Sequence, residues 1–129
     1  MLSVNQFKFN PKLGVLTLEN NSNKVLAKAN IIETSDTIYL SRLKSYVKNR
    51  GYGSQIIDFL KEKFIGKQIS TNASWIADNP PHKFYIDKGF IPSDSNMYEK
   101  LKIWIQKGAK PEEFPFPRSN SCCNMILKN

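Results

Sequence analysis

Hydrophobic and polar positions alternate along the first third of the chain. In "KLGVLTLEN" Val15 and Thr17 interleave with Leu16 and Leu18, and "NNSN" then supplies turn-forming residues. "KVLAKANII" alternates again, "ETSD" turns, and "TIYLSRL" makes a third strand. Connections this short predict an antiparallel meander. The period then changes. Gly53, Ile56, Ile57, Leu60 and Phe64 recur at i, i+3, i+4, i+7 and i+11, which is one face of a helix. Gln55, Asp58, Lys61 and Glu62 take its wet side, Gly66 ends it, and "KQISTNASWI" reads as a further strand.

Asn79 and Pro80 read as the N-cap and first-turn proline of a second helix, which runs to about Lys88 and stops at Gly89. "FIP" begins another strand. From Ser95 to Lys107, Met97, Leu101, Trp104 and Ile105 fall at helical spacing and Glu99 suits the N-terminal turn. Thirteen residues is also long for a strand, so this segment is predicted helical. "KPEEFPFPRSNS" is a proline-punctuated loop. In the closing "CCNMILKN", Cys123, Met125 and Leu127 alternate as in a terminal strand. No internal repeat is visible.

Composition narrows the class. A chain of 129 residues that is 40% hydrophobic and 12% aromatic can build a real core, and it reads as one globular domain spanning residues 1–129. No apolar run reaches membrane-spanning length, and "MLSVNQFKFN" lacks a signal-peptide stretch, so no membrane partner is expected. The two cysteines, Cys122 and Cys123, are adjacent, form no disulfide framework and suit a reducing, cytoplasmic setting. A net charge of +8 favours anionic partners, nucleic acid or a phosphorylated cofactor among them.

The candidate chemistry begins at "YVKNRGYGSQIIDFLKEKF". A cation-rich turn with two glycines runs directly into an amphipathic helix, whose unpaired N–H groups and positive dipole end suit a phosphate. A Walker A loop would need a lysine that Gly53-Ser54-Gln55 lacks, and a dinucleotide fingerprint would need glycine where Ile56 stands. A second stretch, "NPPHKFYIDKGF", places Phe84-Tyr85 just ahead of Gly89-Phe90 on a helix after a strand.

In this order, with one strand between them, "RGYGSQII" and "FYIDKGF" resemble the GCN5-related N-acetyltransferase (GNAT) superfamily. The first family signature is Arg or Gln, two residues, Gly, one residue, then Gly or Ala. Here it reads Lys48-Asn49-Arg50-Gly51-Tyr52-Gly53, with lysine leading; the Phe-Tyr, three residues, Gly-Phe pattern is matched in full. The resemblance covers about Leu13 to Pro92 and the terminal strand. It implies an α+β fold with a mixed, mostly antiparallel central sheet flanked by helices. It also implies acetyl-CoA as co-substrate, no metal, and direct transfer to a primary amine on a small molecule or protein.

The resemblance places acetyl-CoA where the "TIYLSRL" and "QISTNASWI" strands splay. Backbone groups near Ser41 and Leu43 would pair with the pantetheine arm. Lys48, Asn49, Arg50, Gly51, Tyr52, Gly53 and Ser54 would cradle the pyrophosphate, and Asn79 joins the cofactor-binding set. Lysine at 48 keeps the charge of the usual arginine but loses its bidentate fork. Tyr85 would be the general acid for the departing sulfur.

The base stays open: Glu33 and Asp36 could act through water, and His82 is expected at the surface. The chain departs from the family at both ends. Only about a dozen residues precede the first clear strand, so the family's two N-terminal helices are expected to be absent. About thirty residues separate the last two strands, an insertion with Tyr98, Trp104, Phe114 and Phe116 that borders the family's acceptor site. The alternative is a GNAT-fold module that binds CoA or nucleic acid without catalysis. Nucleic acid is disfavoured because no aromatic-and-basic RNA-recognition signature is present. Oligomeric state is open, a homodimer being compatible.

Overall fold

The computed structural model describes residues 5–48, 50–74, 82–108 and 122–129. Seven strands and three helices form among them, and the fold is mixed α+β. By contacts the chain divides into two compact units, one reaching to Ile69 and including Asn129, the other running from Ser70 to Lys128.

The first unit holds β1 (Gln6–Asn10), β2 (Val15–Glu19), β3 (Val25–Glu33), β4 (Thr37–Ser45) and α1 (Tyr52–Lys63). Its strands lie in the order β1-β2-β3-β4, each antiparallel to the next. Register puts Phe7, Leu18 and Ala27 in one cross-strand row and Phe9, Leu16 and Ala29 in the next. Those rows share a face, and α1 covers it with Ile56, Ile57 and Leu60, all fully buried. Phe7 stacks on Phe59 at 4.5 Å, and Phe9 meets Phe64 edge-on at 6.1 Å. Each fully buried Leu or Ile contributes about 1.5–3 kcal/mol, so this face is the core of the unit. Asn129 closes the far end of α1, its Nδ2 donating to the carbonyls of Lys61 at 2.8 Å and Phe64 at 3.0 Å.

β1 corrects the sequence reading, which began the strands at β2. A tight turn, with the Gly14 N–H donating to the Asn10 carbonyl at 2.8 Å, joins β1 to β2. Among the described residues no helix precedes α1.

The second unit holds most of β5 (Gln68–Ser74), then α2 (His82–Asp87), β6 (Ile91–Pro92), α3 (Ser95–Gln106) and β7 (Cys122–Leu127). Strand order is β5-β7-β6, with β6 antiparallel to β7 through Ile91↔Ile126 and Pro92↔Met125. Asn124 ties the three together. Its Nδ2 donates to Ser70 Oγ at 3.1 Å and Asn72 Oδ1 at 3.2 Å, and its carbonyl accepts from the Ser93 N–H at 3.0 Å. The segment predicted helical is α3, capped by Asp94, whose Oδ1 accepts from the N–H groups of Asn96 at 2.9 Å and Met97 at 3.3 Å. Of the four residues that the spacing turns inward, Leu101 and Trp104 are buried, Met97 is half-buried, and the side chain of Ile105 lies outside the described residues.

Candidate functional site

α1 begins without a side-chain cap. Gly51 occupies the N-cap with φ 72° and ψ 17°, a left-handed conformation that glycine adopts freely, and the Gln55 N–H donates to its carbonyl at 3.0 Å. The first-turn N–H groups of a helix have no acceptor within it and carry the positive end of its dipole. No acidic residue stands in the first turn to neutralise that end. A Cβ added at Gly51 would meet no atom within 4 Å, so the space beside the turn is open. Lys48 and Arg50 flank it, both exposed; Tyr52, Gly53 and Ser54 form the first turn, half-buried. An uncapped, open, cation-flanked helix start fits the pyrophosphate of a nucleotide cofactor. Asn49 lies outside the described residues.

Ser41 and Leu43 lie on β4, where the strand is irregular. Lys28 pairs with Lys44 and Asn30 with Ser41, so Arg42 and Leu43 together face the single residue Ala29. This is a β-bulge, and Arg42 takes it up with φ 51°. Strict alternation after Ile38 and Leu40 would bury position 42. The bulge leaves Arg42 exposed and turns Leu43 half inward instead. β4 thus carries backbone groups out of the regular ladder beside the two residues assigned to pantetheine. A groove of about 780 Å³ opens here, lined by Ser41, Arg42, Asn30, Ile32 and the β1–β2 turn. Sequence reasoning missed the bulge, which bears no glycine or asparagine to signal it.

Tyr85 lies in the second unit, on the buried side of α2, 6% exposed. Gly89 ends α2 with φ 102°, and a Cβ there would come within 3.1 Å of Leu127. The turn brings the Phe90 N–H onto the Tyr85 carbonyl at 2.9 Å and folds the Phe90 ring against Tyr85 at 5.3 Å. Phe84 also meets Tyr85 edge-on, at 5.2 Å. The spacing of "FYIDKGF" therefore builds an aromatic seat around one phenol. Burial raises the Tyr85 pKa, and a hydrogen bond from the Thr71 side chain offsets part of the rise. The phenol is held in its protonated form.

Other candidates fare differently. His82, expected at the surface, is fully buried, because the first turn of α2 packs inward there. Glu33 accepts from Lys67, which also bonds the Thr34 carbonyl at 2.8 Å. Asp36 accepts from Thr37 Oγ1 at 3.1 Å. Both carboxylates hold the β3–β4 turn. Asn79, Phe114 and Phe116 lie outside the described residues. Among the described residues no group of three metal-ligating side chains gathers, and no helix is long and apolar enough to cross a membrane.

No family model and no curated protein matches the sequence. Solved structures do match the fold. N-acetylglutamate synthase from Neisseria gonorrhoeae, complexed with coenzyme A and N-acetyl-glutamate, superposes with TM-score 0.57 at 12% identity over 89% of this chain. An acetyltransferase of the GNAT family from Staphylococcus aureus does so with TM-score 0.53 at 16% identity over 90%. An acyl-CoA N-acyltransferase from Pseudomonas aeruginosa gives TM-score 0.54 at 11% identity over 88%. The fold is the GNAT fold. The chain spans 25% of the gonococcal synthase, 68% of the staphylococcal protein and 66% of the Pseudomonas protein. In a GNAT-fold chain the α1 turn and the Tyr85 seat stand on the two sequence stretches that carried the resemblance.

Proposed function

We propose that the protein, acting in the cytoplasm with residues 1–129 as one catalytic domain, transfers the acetyl group of acetyl-CoA to a primary amine. The Tyr85 phenol carries this reading. Tyr85 is a buried hydroxyl that carries its proton at neutral pH and so has one to give to a departing thiolate, the task that the family resemblance assigns to it. Acetyl-CoA supplies an acyl carbon already activated as a thioester.

The α1 turn holds the pyrophosphate through the N–H groups from Asn49 to Ser54, helped by Lys48 and Arg50. The backbone of β4 at Ser41 and Leu43 aligns the pantetheine arm, and Asn79 adds a cofactor contact. The acceptor nitrogen forms the new C–N bond to the carbonyl carbon as the C–S bond breaks. Tyr85 then delivers its proton to the departing sulfur, and the proton lost from the attacking amine returns the phenol to its starting state by way of solvent. The products are an acetamide and free CoA.

Screening amine acceptors with acetyl-CoA while following free thiol tests the proposal. Thiol released in step with acetylated amine is expected. CoA binding without thiol release across the panel would leave a cofactor-binding module in place of an enzyme.

A further inference from the structure

The face of the first unit's sheet turned away from α1 carries an unusual charge pattern. Register places Lys8, Thr17, Lys28 and Lys44 in one cross-strand row, with Lys28 directly opposite Lys44. Like charges in that position repel and destabilise a sheet. Lys8 is answered by Glu19, 3.2 Å away. Among the described residues no carboxylate answers Lys28, Lys44 or Arg42. The bulge on β4 brings Arg42 to the same place, in a backbone conformation that its side chain does not favour.

These three cations surround a hollow of about 200 Å³, together with Asn30 and Tyr46, over whose ring the Lys44 ammonium sits at 5.1 Å. The hollow shares Asn30 and Arg42 with the groove of about 780 Å³ beside the bulge. The groove is mixed in character, with Leu13, Ile32, Lys12 and Glu33 among its lining residues, whereas the hollow is smaller and its only charged lining residues are the three cations. A small molecule with one anionic end fits that pair of spaces. A polyanion would need cations continuing along the face, but the neighbouring row is Asn10, Val15, Asn30 and Ser41.

We propose that Lys28, Arg42 and Lys44 form an oxyanion-binding subsite, and that the amine acceptor carries a phosphate or carboxylate seated there. The second half rests on the acetyltransferase reading above. Arg42 and Ser41 belong to the strand segment assigned to pantetheine, so an acceptor anchored by Arg42 has its body along β4.

Two measurements test the two halves separately. The first is thermal melting in inorganic phosphate against chloride at equal ionic strength. Lys28→Gln/Lys44→Gln is compared with Lys24→Gln/Lys107→Gln, which makes the same net-charge change from +8 to +6 at exposed positions elsewhere. Parent and control are expected to gain about 3 °C specifically from phosphate. The Lys28/Lys44 variant should lose that gain and melt higher than the parent at low salt, its repulsion having been removed. An equal phosphate response in all three proteins overturns the subsite.

The second is acetyl transfer to phosphoethanolamine, β-alanine and ethanolamine. The parent should prefer one of the two anionic amines over ethanolamine, the favoured one naming the oxyanion, and the preference should fall about tenfold in Lys28→Gln/Lys44→Gln. Transfer without such preference overturns the acceptor half. A phosphate response with no transfer to any amine overturns the acetyltransferase reading and leaves the subsite standing.

Discussion

Burial and aromatic packing around Tyr85 set its chemistry at the scale of one residue. A phenol whose pKa lies above the ordinary 10.0 is more stable protonated in the folded chain than in the unfolded one. Its contribution to stability is therefore present below about pH 10 and is lost as pH rises through the folded value. Tyr85→Phe removes the titration, so melting curves from about pH 8 to about pH 11 should show a shallower alkaline decline in the variant than in the parent. An identical decline would mean that the phenol titrates as if exposed. The same substitution should lower turnover about 10²-fold or more with CoA affinity unchanged, because only a transition-state proton donor is deleted. Equal turnover would return Tyr85 to a packing role. The Phe-Tyr…Gly-Phe spacing singles out Tyr85 through the family resemblance, and the fold-back of Phe90 onto Tyr85 gives that spacing a physical reason. The burial of His82 was not legible, since one polar residue at a helix start gives no periodic signal.

Helix α1, α3 and β7 follow from the sequence because their apolar residues repeat with the period of the element they form, whereas α2 is read from its end signals, of which Gly89 is observed and Asn79 and Pro80 lie outside the described residues. The two misses have separate causes. β1 has only Phe7 and Phe9 to announce it, and both are half-buried against Phe59 and Phe64, some fifty residues downstream. The β4 bulge rests on Arg42 adopting φ 51°, a conformation usually flagged by glycine or asparagine. The bulge makes a prediction of its own. Arg42→Val should cost about 1–2 kcal/mol in denaturant unfolding, since a β-branched side chain tolerates that conformation poorly. Arg42→Gly should be neutral or slightly stabilising, because relief of strain offsets the added freedom of the unfolded chain. Equal stability of the two variants would mean that the bulge relaxes away when arginine is removed.

The whole molecule joins a GNAT fold to a sequence that no family model recognises, and the two short motifs account for both facts. They occupy the turn before α1 and the end of α2, where backbone conformation and ring packing restrict the residue types. Elsewhere the fold asks only for the right alternation of apolar positions, which many sequences satisfy at 10–16% identity. The basic surplus is partly explained by position, with Lys48 and Arg50 at the α1 turn and Lys28, Arg42 and Lys44 on the open sheet face. The proposed function depends on one event, the binding of CoA at the uncapped start of α1. Calorimetric titration of CoA into the parent and into Gly51→Val tests it most directly. Saturable binding to the parent is predicted, weakened at least about tenfold in a variant that still folds, because valine strains the left-handed N-cap and fills the open space beside it. No heat from the parent, or equal affinity in a folded Gly51→Val, would contradict the account.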